Sequence, residues 1–311
     1  MNQLVVIFLV LFVPTAYSAE GAWCYHDRTC DVTTWPTNYS SFCNGSRQSP
    51  INIVSATTIG NVNLTAFTFS RYKDNTTLKT ITNNGRTVLV ELDSGVQISG
   101  GGLSEVYDSL QFHLHWGNGT SAPGSEHTVD DRRYPMEMHI VNTKTIYNRS
   151  LTNVSTADGT GIAALSFLIE ALPVNGTGSP AAWTALTTYL DNITENVVNI
   201  THRISLDDLL NGVDRTKYYR YLGSLTTPNC TEAVVWTVFK DTIKVSQDLI
   251  NLFSTRLHLD QSSTSELMIN NYRKTQASNG RNVTTQVTVS SASEMCFSLG
   301  LMAWMLLMLP W

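Results

Sequence analysis

Three histidines in two short runs are the side chains best placed to do chemistry. Gln111-Phe112-His113-Leu114-His115-Trp116-Gly117 holds two of them, and Glu137-Met138-His139-Ile140-Val141 holds the third. Residues two apart on a strand point to the same side, so His113 and His115 can converge on one point. Their neighbours are apolar or aromatic and strand-prone, and Gly117 ends the run. A polar loop follows (Asp130-Asp131-Arg132-Arg133), and the alternation then resumes from Met136 to Val141. An antiparallel return would set the His139 imidazole beside the other two. Three neutral imidazoles without a fourth protein ligand make an open, catalytic type of zinc site rather than a closed structural one. A lone histidine on an apolar strand is more often a satisfied core residue. Three in this arrangement, in a chain holding seven, are read as ligands for Zn2+.

The elements that must position them are mainly strands. Leu64 to Gln97 alternates apolar and polar residues, with turn signals at Asp74-Asn75, Asn83-Asn84-Gly85 and Ser94-Gly95, and reads as successive short strands. Gly161 to Leu172 is an apolar run that reads as a buried strand near the site, and Val234 to Val238 as another. Helical spacing of Trp183, Leu186, Leu190 and Ile193 predicts a surface helix over Pro180 to Val197, and Ser246 to Leu257 predicts a second. Trp23 to Asn44 reads as an irregular arm with aromatics. At 311 residues, without a Pro/Gly/Ser linker or an internal repeat, one α+β, sheet-dominated domain with peripheral helices is expected.

The formal net charge of −5 is mild and there is no basic patch, which argues against nucleic acid as a partner. The apolar run Leu4 to Val13, followed by Pro14 and the small-residue segment Ala16-Tyr17-Ser18-Ala19, reads as a signal peptide over 1–19. Asn-X-Ser/Thr acceptors recur at Asn38, Asn44, Asn63, Asn75, Asn118, Asn148, Asn153, Asn175, Asn192, Asn199, Asn229 and Asn282, a density that fits a glycosylated secretory protein. After Val289 come Ser290-Ser291-Ala292-Ser293, then Glu294 and an apolar tail to Trp311 with no Lys or Arg behind it. That reads as a GPI-attachment signal over 290–311, with Ser290 or Ser291 as the attached residue and a transmembrane anchor as the rival. Removal of the tail takes Cys296 and leaves Cys24, Cys30, Cys43 and Cys230, which allow three pairings.

The run Ser125-Glu126-His127-Thr128-Val129, then Tyr134, then Glu137-Met138-His139-Ile140-Val141 resembles the signature of the alpha-class carbonic anhydrases. The resemblance extends from about Trp23 to about Val289, so the domain is set at 20–289, and the two ends resemble those of the family's GPI-anchored isozyme. It implies one large, mostly antiparallel twisted sheet and the reversible hydration of CO2 to bicarbonate and a proton. It also implies Cys24–Cys30 and Cys43–Cys230 disulfides, the second worth roughly 4–5 kcal/mol in the chain-entropy model. Gln48-Ser49-Pro50-Ile51-Asn52-Ile53 resembles a family motif of mainly structural use.

For the site, the resemblance implies that zinc-bound hydroxide attacks CO2. Thr226, in Gly223-Ser224-Leu225-Thr226-Thr227-Pro228, matches the family's gatekeeper threonine; it would orient that hydroxide while donating to Glu126, with Thr227 beside it. Gln111 is assigned to fix the His113 ring, and Glu137 to fix His139 or a ring across the strand pair; His115 is left to a backbone carbonyl. Val141, Ala164, Leu225, Val234 and Trp236 match the apolar CO2 wall, Ala164 standing where a valine is expected, and Tyr25 matches a cavity tyrosine. Arg86 stands where fast members carry a histidine that exports the proton. Arginine does not titrate at working pH, so turnover depends on external buffer or on another group, His26 first. His127, His202 and His258 read as structural or surface residues.

The resulting reading is a zinc lyase on the outer face of the plasma membrane, near bicarbonate transporters as candidate partners. A catalytically silent binding module is the alternative, disfavoured by the complete triad. A zinc hydrolase of other substrates lacks its His-Glu-X-X-His run.

Overall fold

The computed structural model describes residues 23–172, 180–193, 197–260 and 265–287. The segments read as a signal peptide and a GPI signal lie outside them, Ser290 and Ser291 included.

The strands that matter for the site are β1 (Leu78–Asn83), β2 (Val88–Leu92), β3 (Tyr107–Trp116), β4 (Met136–Lys144), β5 (Ile162–Leu172), β6 (Tyr218–Gly223) and β7 (Val234–Phe239). They belong to a 13-stranded twisted sheet whose main path runs Val198–Asn199, β1, β2, β3, β4, β5, β7, β6, Thr284–Thr285, Ile59–Gly60. Most pairs are antiparallel. β5 with β7, β5 with Ile243–Ser246, and Thr284–Thr285 with Ile59–Gly60 are parallel.

Side chains alternate between the two faces of a strand, and here the two faces have different jobs. Met136, Met138 and Ile140 of β4, with Phe112, Leu114 and Trp116 of β3 and Leu165, Phe167 and Ile169 of β5, enter the larger hydrophobic core. On the other face β4 carries Glu137, His139 and Val141. Val141 joins a smaller apolar cluster with Ala164, Leu168, Val234, Trp236 and Val238. Both faces of the central strands are covered, which is why β5 reads as a continuous apolar run.

The helices are few and peripheral. α2 (Gln247–Arg256) matches the expected second helix, while α1 covers only Ala181–Thr187 rather than Pro180 to Val197. The hydroxyls of Thr187 and Thr188 donate back to the carbonyls of Trp183, Thr184 and Ala185, a local alternative to helix continuation. Leu190 and Ile193 reach the core from the turn that follows, each about 1% exposed. The N-terminal arm is less irregular than its sequence suggests, holding two four-residue helices, Trp35–Asn38 and Ser40–Cys43. Trp23, Tyr25 and Trp35 pack edge-on, with ring centroids 5.3–5.6 Å apart.

Two disulfides fasten the arm: Cys24–Cys30, and Cys43–Cys230 across 187 residues. The second holds the arm to the loop that carries Thr226 and Thr227. Replacing both partners, Cys43→Ser with Cys230→Ser, is expected to lower the unfolding free energy by about 4–5 kcal/mol, read from denaturant midpoints. A loss below about 1 kcal/mol would mean that the bridge constrains the unfolded chain far less than so long a loop implies.

Candidate metal centre

His113 and His115 extend from β3 and His139 from β4, with His139 the cross-strand partner of His113 and Glu137 that of His115. The ring centroids stand 5.0, 5.3 and 4.7 Å apart, and one ring nitrogen from each lies within 4.8 Å of the others. β3 ends where a loop folds tightly back on it. A Cβ at Gly117 would lie 1.8 Å from the Ala122 carbonyl oxygen, and one at Gly124 would lie 1.9 Å from the Gly117 nitrogen. Any side chain there would push the loop off the strand. The polar loop before β4 is a two-residue turn, with Asp130 and Asp131 both at positive φ between Thr128–Val129 and Arg132–Arg133.

Each ring has its outward nitrogen committed. His113 Nδ1 is 3.0 Å from Gln111 Oε1, His115 Nδ1 is 2.8 Å from the Asn271 carbonyl, and His139 Nε2 is 2.6 Å from Glu137 Oε1. All three partners are acceptors, so each of these nitrogens carries the proton. The lone pairs are then left on His113 Nε2, His115 Nε2 and His139 Nδ1. His115 Nε2 is a buried nitrogen without a hydrogen-bond partner, which is how a ligand atom looks before its metal is counted. Burial pushes the His115 imidazole down to about 4 and lowers those of His113 and His139, so all three are neutral at physiological pH. Three neutral nitrogens, with no fourth protein ligand grouped with them among the described residues, suit a zinc ion.

Glu137 does more than hold His139. It also accepts from His127 Nδ1 at 2.6 Å, from the His127 backbone N–H at 2.7 Å and from Ser166 Oγ at 2.6 Å. Burial pushes its carboxyl up, but the histidines and their hydrogen bonds outweigh that and hold it well below the usual range. His127, Glu137 and His139 also have the makings of a metal cluster. Their 2.6 Å contacts are hydrogen bonds, and they spend the atoms a metal would need.

Glu126 lies at the other side of the triad, fully buried. Its Oε2 is 3.4 Å from His115 Nε2 and its Oε1 accepts the Arg273 backbone N–H at 2.7 Å. Burial pushes the Glu126 carboxyl up to about 7, against the opposing pull of His139, the Arg273 N–H and the Thr226 hydroxyl. The loop bearing Thr226 is closed by Leu225 N–H to the Thr231 carbonyl (3.0 Å) and Cys230 N–H to the Thr227 carbonyl (2.7 Å). Trp236 Nε1 donates to the Ser224 carbonyl at 2.9 Å.

A cavity of about 160 Å³ opens onto the triad, lined by Trp23, Tyr25, Asn84, Arg86, Thr87, Leu89, Gln111, His113, His115 and Thr227. Burial and the charge of Glu126 push the Tyr25 phenol well up, so it stays protonated. Arg86 is tied to the wall: its Nε donates to the Trp23 carbonyl at 3.1 Å and its guanidinium lies 4.2 Å from the Trp23 ring centre. His26 is exposed and lines a separate surface depression with Asp27, Arg28 and Glu266, not the cavity of the triad. Val141, Ala164 and Trp236 are successive cross-strand partners beside the triad, and Val234 and Leu225 pack with them. His139 and Trp236 ring centroids are 4.8 Å apart.

Residues 30–287 match the family described as eukaryotic-type carbonic anhydrase. The chain belongs to this family. Among similar proteins, carbonic anhydrase 4 of Oryctolagus cuniculus is 41% identical over 245 residues, 78% of this chain and 77% of that protein. Carbonic anhydrase 4 of Mus musculus is 36% identical over 264 residues, 83% of each. Receptor-type tyrosine-protein phosphatase zeta of Homo sapiens is 34% identical over 279 residues, 86% of this chain but 12% of that protein. As a carbonic anhydrase the chain is a lyase. No helix among its described residues is long and apolar enough to cross a membrane.

Asn271, Arg273, Ser166, Tyr221 and Ser49 all support the site and carried no mark of it in the sequence. Gln111 was visible because it matches a position that the family resemblance assigns to fixing a ligand ring. The Gln111→Ala variant is expected to weaken zinc binding by about 10–100-fold, measured by competition with a chelator. Unchanged affinity would mean that the His113 tautomer is fixed without it.

Proposed function

We propose that this chain catalyses the reversible hydration of CO2 at the outer face of the plasma membrane, held there by a GPI anchor. The observation that carries the chemistry is the triad, in which three inward nitrogens are lone pairs because three outward ones are protonated and fixed. A zinc ion on these nitrogens would act as a Lewis acid that makes a nucleophile of water at neutral pH, a property for which carbonic anhydrase is the type example.

The remaining steps fall to the chain itself. The Thr226 hydroxyl would donate a hydrogen bond to Glu126 and so could only accept from the nucleophile, orienting it toward the carbon of CO2. Glu126 can accept that hydrogen bond in its ionised form, which the Arg273 N–H favours against the upward push of burial. Thr227 lines the cavity beside it. Val141, Ala164, Leu225, Val234 and Trp236 give the apolar CO2 a dry wall, widened at Ala164. Thr226→Val leaves the volume and removes the acceptor. It is expected to lower kcat/KM by about 10²–10³-fold with zinc content intact. Undiminished kcat/KM would remove Thr226 from the mechanism.

Proton export is the slow point. An arginine side chain cannot relay a proton at working pH, and the contacts of Arg86 with Trp23 hold it against the cavity wall. Arg86→His is expected to raise turnover at low buffer concentration and change little at high buffer. No gain would mean that another group already carries the proton.

The location reading is supported by the N-terminal apolar run, by the C-terminal small-residue segment with its apolar tail, and by two disulfides that suit an oxidising compartment. Release from cells by phosphatidylinositol-specific phospholipase C is the expected outcome, and retention on the membrane would favour a spanning helix. Bicarbonate transporters are partners suggested by location. The phosphatase relative keeps a second reading open, since a domain of this family can serve inside a protein of another kind. A binding module needs no metal triad, and here the triad is complete.

A further inference from the structure

The main path of the sheet ends at Val198–Asn199 on one side and at Ile59–Gly60 on the other. Val198–Asn199 pairs only with β1, and Ile59–Gly60 only with Thr284–Thr285, among the described residues. Such open edges are templates for pairing with another chain, and proteins commonly guard them with charged residues or proline. Among the described residues the edge segments themselves carry no such guard, although Lys79 and Arg203 line the depression beside the first. Residues 54–66, 197–201 and 282–287 contain no Lys, Arg, Asp, Glu or Pro. They expose apolar side chains instead: Val197 is 66% exposed at one edge, and Ile59, Val62 and Val287 are 49%, 79% and 47% exposed at the other.

What these segments do carry is acceptor sequons. Asn199 lies in the first edge strand, and Asn75 lines the same surface depression. At the second edge Ile59 N–H donates to the Val283 carbonyl at 2.9 Å and Asn61 N–H to the Thr285 carbonyl at 2.8 Å, which sets the Asn282 and Asn63 sequons alongside the strand pair. All four asparagines are exposed. We propose that N-linked glycans at Asn75 and Asn199, and at Asn63 and Asn282, cap these two ends of the main path and prevent edge-to-edge association there. The inference rests on the secretory reading. A glycan is bulky and strongly hydrated, so it can hold a second strand away where a lysine would otherwise do so.

The test begins with the full chain secreted from glycosylating cells. Glycosidase treatment in heavy-oxygen water followed by peptide mass spectrometry reports which asparagines carried glycan. Occupancy at the four edge sites is expected. Bare edge sites with glycan elsewhere would overturn the capping inference alone, whereas no glycan at any sequon would bring down the secretory reading with it. The second arm compares Asn63→Gln/Asn75→Gln/Asn199→Gln/Asn282→Gln with Asn118→Gln/Asn148→Gln/Asn153→Gln, whose sites lie on connections between central strands. Light scattering should show a severalfold fall in monomer for the first and none for the second, with Val62→Lys and Val197→Lys restoring it. Equal behaviour of the two sets would refute the proposal. If the edge variant does not fold, enzymatic deglycosylation of the folded wild-type protein replaces it, and a product that stays monomeric counts against the proposal.

Discussion

Everything at the centre of this protein depends on where three protons sit. An imidazole offers a metal one lone pair only when its other nitrogen holds the proton, and a buried ring keeps that arrangement only when an acceptor fixes it. Gln111, the Asn271 carbonyl and Glu137 supply those acceptors. Burial strengthens the arrangement, because it disfavours a second proton on any of the rings. The same burial would be costly for Glu137 were its charge not shared among two histidines and Ser166.

The acceptors are anchored in turn. From His139 a line of hydrogen bonds passes through Glu137 to His127, from His127 Nε2 to the Tyr221 hydroxyl at 2.6 Å, and from Tyr221 to Ser49 Oγ at 2.9 Å. Ser49 Oγ accepts the Ser224 backbone N–H at 3.0 Å, and Ser224 opens the loop bearing Thr226. Arg273 makes a second support: its backbone N–H holds Glu126, while its guanidinium donates to Gln48 Oε1 and the Ser49 carbonyl, both at 2.9 Å. The histidine triad, the loop bearing Thr226 and the Gln48–Ser49 segment therefore share one buried polar network. Such a network fixes geometry well when every member is satisfied.

Much of this was legible in the sequence for a plain reason: a period of two puts His113 with His115, and Glu137 with His139, on one strand face. The short strands between Leu64 and Gln97 and the buried run of β5 were legible in the same way. What stayed hidden was non-local. Asn271 is 156 residues from His115 and Arg273 is 147 from Glu126, and neither type of residue marks such a role. His127 looked like a structural or surface residue, and its part in holding Glu137 emerges only when β4 and β6 come together around it. The helix from Pro180 was overdrawn because Leu190 and Ile193 keep the helical apolar spacing, although the chain reaches the core there by turns.

The most direct test of the central claim is stopped-flow CO2 hydration by the purified domain, titrated with zinc after chelation. Turnover should rise in proportion to bound zinc and level off at one ion per chain. A protein that binds one zinc ion and still fails to hydrate CO2 would contradict it, leaving a folded relative whose triad serves another purpose.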